Sequence, residues 1–147
     1  MSESRHRLFV YGNLLPGEPE HHLLSESEHK AQIEHVGPAR TASGHKLVER
    51  GTFAALVVGG LDRVVGELYL VPTQVLGKLD LAKEHPRLFE RRTITLEDGS
   101  EAQAYTLSVE QARGLRRVRH GDWRNRFKAD GPEAGPFVRW AKNRYSR

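Results

Sequence analysis

Leu8-Phe9-Val10-Tyr11-Gly12-Asn13-Leu14-Leu15-Pro16-Gly17-Glu18-Pro19-Glu20-His21-His22 is the stretch on which the fold turns: an apolar run halts at a Tyr-Gly step and passes into a charged segment. The β-branched and aromatic content of residues 8–11 is that of a buried strand. Gly12 supplies a sharp turn and keeps a side chain out of a ligand's approach. Backbone amides left unpaired by such a turn, next to a helix start, suit a carboxylate or an oxyanion. The reading is strand, anion-cradling loop, helix.

Working outward, 147 residues are enough for one domain covering 1–147. The chain contains no cysteine. Disulfides and thiolate metal sites are therefore excluded, and a cytoplasmic location is expected. Residues 1–7 are polar and do not resemble a signal peptide, and the apolar runs have strand length, so no membrane span is expected. A P-loop, a dinucleotide fingerprint and a Gly-x-Ser-x-Gly elbow are all missing, and no cofactor is implied.

Charge is segregated along the chain. Residues 113–147 hold 11 Lys and Arg against three acids, a balance of +8, whereas the rest carries −4. A basic extension from about Arg113 could hold nucleic acid. It contains no recognisable nucleic-acid-binding module, so the simpler reading is a solvated, arginine-rich face.

Strands are expected at 45–48, 53–58 and 64–71, separated by Gly51 and by Gly59-Gly60. Pro72-Thr73 then opens a helix with Val75, Leu76, Leu79 and Ala82 on one face, stopping before Pro86. Residues 91–96 and 102–107 alternate about Asp98-Gly99, a hairpin signal. Pro19 to Glu28 reads as a helix broken at Gly37-Pro38. Ser108 with Gln111 suggests a capping box and a further short helix, and 137–145 reads as a last helix. Six or seven short strands with a few inserted helices give an α+β class: a small mixed β-barrel with flanking helices.

The same stretches resemble the γ-glutamylcyclotransferase-like (AIG2-like) proteins. Tyr11, Gly12, Leu14, Gly17, Pro19 and His21 hold the spacing of that family's opening motif, with Asn13 in place of threonine or serine and Glu20 in place of asparagine. Val65-Gly66-Glu67-Leu68-Tyr69 is similar to its central strand. Leu79-Asp80 through Arg91 is similar to its following helix and strand, and His120-Gly121-Asp122-Trp123-Arg124 to a late Gly-Asp-Trp segment. The resemblance covers about 7–107 and implies a compact barrel with a cavity at one end. It also implies a small-molecule γ-glutamyl amine or amino-acid conjugate as ligand. In the implied reaction the α-amine attacks the γ-carbonyl, releasing 5-oxoproline and an amine.

That chemistry needs a carboxylate to move protons, donors for an oxyanion, and a substrate held curled. The resemblance puts the substrate on Tyr11, Gly12, Asn13 and Leu14; Tyr105, in the last strand, either lines the cavity with its hydroxyl or belongs to the core with that hydroxyl satisfied. It puts the catalytic glutamate three residues after Leu79-Asp80, where this chain has Lys83. Glu84 is the neighbouring carboxylate, about 100° away around a helix, and a distorted last turn could bring it to the cavity. A lone inward Lys83 would repel the substrate's α-ammonium by about 4 kcal/mol at 4 Å and an effective dielectric near 20. It would then mark a catalytically inactive, ligand-binding relative. Glu18 with His21 or His22 has the spacing of two metal ligands, which is too few to make a site, and His85 beside Glu84 is a possible proton carrier.

Overall fold

The computed structural model describes residues 4–127. In chain order these form β1 (Arg5–Val10), α1 (His22–Ser25), β2 (Glu34–Arg40), β3 (His45–Arg50), β4 (Phe53–Val58), β5 (Val65–Pro72), α2 (Thr73–Ala82), β6 (Glu90–Thr95), β7 (Glu101–Thr106) and β8 (Arg116–Arg117). The strands lie in one mixed sheet in the order β2-β5-β1-β7-β4-β3-β8, with β6 paired to β7. β1 is antiparallel to β5 along its whole length, from Arg5 opposite Pro72 to Val10 opposite Glu67, and meets β7 in parallel at Leu8 and Gln103. The sheet curls into a half-barrel. Its ends approach where Thr41 bridges Leu96, the Ala42 amide bonds to Thr95 and the Glu97 amide to Arg40.

The second half of β1, residues 8–10, is buried on both faces, which is why it reads as an unbroken apolar run rather than an alternation. Leu8 and Val10 join Tyr69, Val71, Tyr105 and the α2 residues Val75, Leu76 and Leu79 in one core. Phe9 and Tyr11 join Leu47, Leu56, Leu68 and Trp123 in the other. Gly66 is where β5 presses hardest on β1: a Cβ there would run into the Val10 carbonyl and the Phe9 ring.

The expected strands and the β6–β7 hairpin form, with Gly99 at φ +87° and Asp98 accepting from the Ser100 amide at 2.9 Å. Three expectations are corrected. Residues 34–40 are a strand, because the register shifts between His35 and Gly37 and Pro38 follows on a strand at the end of the sheet order, where proline is tolerated. The helix expected over 19–28 contracts to the four residues of α1, since Leu24 is its one buried side chain and a single anchor does not hold a longer helix. After Ser108 the capping-box bonds form, with the Gln111 amide donating to the Ser108 hydroxyl at 3.0 Å, but the chain continues as turns. The helix expected at 137–145 lies outside the described residues.

Candidate functional site

At the end of β1 the chain turns through a single 3-10 turn, Gly12–Leu14, all of it buried. Gly12 has φ +57°, and a Cβ there would lie 2.5 Å from the Cβ of Ala54. Packing of the loop on β4 thus requires glycine by itself. The Leu14 amide is also spoken for, donating to the Tyr11 carbonyl at 3.2 Å. Among the described residues no hydrogen bond takes up the Asn13 amide.

The loop's side chains serve as braces. The Asn13 carboxamide donates to the Thr52 carbonyl at 3.0 Å and accepts from the Ala54 amide at 2.8 Å. The Tyr11 hydroxyl donates to the Tyr105 carbonyl at 2.5 Å and accepts from the Leu56 amide at 3.0 Å, joining β1, β4 and β7. Burial pushes its pKa well up, and the charge of Glu20 adds to the effect. Tyr11 therefore stays neutral, a fixed strut.

Facing the loop is the end of α2. Lys83 caps the helix, its amide bonded to the Leu79 carbonyl at 2.8 Å. Four residues beyond buried Leu79, it continues the helix's inner face. Its side chain is 11% exposed, and its Nζ lies 2.6 Å from Oε1 of Glu20 and 5.2 Å from the centre of the Phe89 ring. Glu84 takes the left-handed conformation, φ +54°, which turns its side chain away from the helix's inner face. That side chain is half exposed and pairs with Arg87 at 2.7 Å. Of the two neighbours, the inward one is the lysine.

Glu20 was not among the residues the sequence singled out for the site. Its amide bonds to the Asn13 carbonyl at 2.9 Å, which sets it directly beside the loop. The segment carrying it is clamped from three sides. His21 Nδ1 lies 2.8 Å from the Leu14 carbonyl oxygen, Trp123 Nε1 donates to Glu18 at 3.0 Å, and Arg124 donates to the Pro16 carbonyl at 2.8 Å. The sequence signal was the acid standing where the family resemblance expects asparagine, paired with a base where it expects an acid. Neither departure alone suggests a contact between residues 63 positions apart.

The remaining candidates have structural partners. The Tyr105 hydroxyl donates to Asp80 at 2.7 Å, and Arg91 grips the same carboxylate with two bonds of 2.9 and 3.0 Å. Burial alone would raise Asp80, but the bonds from Arg91 and Tyr105 outweigh it and hold its pKa below the usual range. His85 accepts from the Arg91 amide at 2.9 Å. His22 Nδ1 lies 2.9 Å from the Pro19 carbonyl oxygen, so Glu18, His21 and His22 do not converge, and the described residues hold no cluster of three metal-ligating side chains. An open groove of about 500 Å³ runs past Arg7, Pro38, Arg40 and Leu96. It includes no residue of the loop or of the Lys83–Glu20 pair.

Set against known proteins, residues 8–125 match a family model described as gamma-glutamyl cyclotransferase, AIG2-like. A Vibrio cholerae protein named putative gamma-glutamylcyclotransferase is 32% identical over 120 residues, 81% of this chain and 96% of its own. Gamma-glutamylaminecyclotransferase A of Danio rerio is 33% identical over 112 residues, 69% of each chain. A Drosophila melanogaster protein named putative gamma-glutamylcyclotransferase is 34% identical over 67% of this chain and 66% of its own. The chain thus spans about two thirds of the length of the fly and zebrafish relatives. Among solved structures, a mouse AIG2-like protein superposes with a TM-score of 0.65 at 24% identity, covering 88% of this chain and 92% of that one. A uropathogenic E. coli-specific protein does so with a TM-score of 0.70 at 22% identity, covering 83% and 94%. At such identities the structural likeness speaks for the fold alone.

Proposed function

This chain belongs to the gamma-glutamyl cyclotransferase, AIG2-like family, and from that premise we propose that it binds a γ-glutamyl amine at the Tyr11–Leu14 loop and converts it to 5-oxoproline and a free amine. The observation that carries the reading is the braced loop. A one-turn bend held by Tyr11, Asn13 and His21 leaves the Asn13 amide without a partner among the described residues, and the Asn13 carbonyl takes the main-chain amide of Glu20, whose carboxylate pairs with the Lys83 ammonium. A fixed N–H donor is what a developing oxyanion needs, and a rigid wall favours the curled substrate in which the amine meets its own γ-carbonyl.

The reaction balances without water or cofactor. The α-nitrogen forms a bond to the γ-carbonyl carbon, and the tetrahedral adduct collapses by breaking the original C–N bond. Two protons leave the attacking nitrogen and two arrive on the departing amine, so one group cycling between base and acid closes the balance.

The alternative, a ligand-binding relative without turnover, follows from Lys83 taken by itself. Glu20 at 2.6 Å removes its motive, since the pair presents no net charge to the substrate's α-ammonium. Glu84, committed to Arg87, is assigned no part in binding. We place the reaction in the cytoplasm, in keeping with the cysteine-free composition; no described helix is long and apolar enough to cross a membrane.

The test is incubation of the protein with a panel of γ-glutamyl amines and γ-glutamyl amino acids, with 5-oxoproline separated and quantified. Time-dependent release from at least one of them is expected. No release from any of them overturns the reading.

A further inference from the structure

Building on the cyclotransferase reading, we propose that Glu20 is the catalytic proton carrier and Lys83 the residue that positions it, the acid/base having moved from the helix end to the loop. The surroundings of the loop supply the first argument. Each other carboxylate near it is bound elsewhere: Glu18 to Trp123, Asp80 to Arg91 and Tyr105, Glu84 to Arg87, and Glu67 to His35 and Arg124. Glu20 is tied by its main chain to the middle of the turn, its amide donating to the Asn13 carbonyl. Its Oε1 is held by Lys83, while Oε2 accepts no bond from a described residue.

The second argument concerns what the ion pair is for. Glu20 is 39% exposed, and a pair with one wet partner contributes little to stability. What a lysine at the inner end of α2 does accomplish is to fix the carboxylate's direction. Its ammonium sits over the Phe89 ring, its backbone is locked into the last helical turn, and that ammonium has three donors but a single described acceptor. A carboxylate whose segment is clamped by His21, Trp123 and Arg124 and whose Oε1 is held by Lys83 is pre-set to use the other oxygen.

In the cycle, Glu20 accepts a proton from the α-ammonium as that nitrogen attacks the γ-carbonyl carbon. It returns the proton to the leaving nitrogen as the old C–N bond breaks, and the second proton follows the same route. Lys83 stays protonated throughout and keeps the carboxylate aimed.

The experiment compares wild type with Glu20→Gln, Lys83→Met, Lys83→Arg and the double variant Glu20→Asn with Lys83→Glu, on whichever γ-glutamyl amine the wild type turns over best. Circular dichroism and thermal melting confirm that each is folded. Glu20→Gln should lose about 100- to 10,000-fold in kcat with KM changed far less. Lys83→Met should lower kcat while Lys83→Arg restores most of it, a rescue that a merely structural lysine would not show. The double variant, which returns the carboxylate to the helix end, should regain activity that Glu20→Gln lacks. Glu20→Gln turning over like wild type, or a folded double variant as inactive as Glu20→Gln, overturns the relocation while leaving the cyclotransferase reading standing. A wild type that forms no 5-oxoproline removes both.

Discussion

Gly12 shows how one position carries a constraint that its local sequence does not disclose. The Tyr-Gly step does end the strand, and the missing side chain makes room for Ala54 on β4. Gly12→Ala combines the left-handed backbone penalty of about 1–2 kcal/mol with the about 1–3 kcal/mol of overpacking a filled core. It should therefore lower the unfolding free energy measured in denaturant by about 2–5 kcal/mol, and Gly12→Val by more. A Gly12→Ala protein as stable as wild type would mean that β4 yields easily. The opposite case is Glu84, whose left-handed backbone and exposed pairing with Arg87 take it off the helix's inner face. Glu84→Gln should change stability by no more than about 0.5 kcal/mol and leave 5-oxoproline release unaltered. A collapse of kcat would return it to the mechanism.

Between α2, β6 and β7 the joint is the Asp80 carboxylate, held by Arg91 from one strand and by Tyr105 from the other. Its pKa is lower folded than the ordinary value of about 3.9. The stability it supplies is therefore complete above that ordinary value and lost as pH falls through the lower folded one. Asp80→Asn should be clearly less stable than wild type at neutral pH, and the gap between the two should close as urea unfolding is repeated at progressively acid pH. A gap independent of pH would assign the loss to packing instead. The elements legible in the sequence are those whose signals are local. β1, β5 and the Asp98-Gly99 hairpin declare themselves by composition and turn chemistry, and α2 by the spacing of Val75, Leu76 and Leu79. β2 was hidden because Gly37-Pro38 breaks the local signal, while an edge position and a bulge accommodate it. The site divides in the same way. The loop could be located from residues 8–22, whereas the Glu20–Lys83 contact exists only once β1, β5 and α2 bring residues 63 positions apart together.

Across the whole molecule, the segregated charge has a partner within the chain. Arg116 meets Glu49, Arg117 grips Asp62 with two bonds of 2.7 Å, and Arg124 meets Glu67, so the described part of the basic stretch lies on the acidic body as a strap. Its anchor is Trp123, 1% exposed, with Arg126 stacked 3.7 Å from its ring centre and its Nε1–H on Glu18. This strap bears on the loop that carries Glu20, so structure and activity should separate under substitution. Trp123→Ala empties a core position and should cost about 3–5 kcal/mol. Trp123→Phe keeps most of the ring's packing and loses the bond to Glu18, so its melting temperature should stay much nearer wild type. If the strap serves the site, Trp123→Phe should still lose several-fold in kcat, because Glu18 and the segment leading to Glu20 are no longer fixed from outside. A Trp123→Phe protein with wild-type kcat would confine Trp123 to the core and leave the aim of Glu20 to Lys83 and the Asn13 carbonyl.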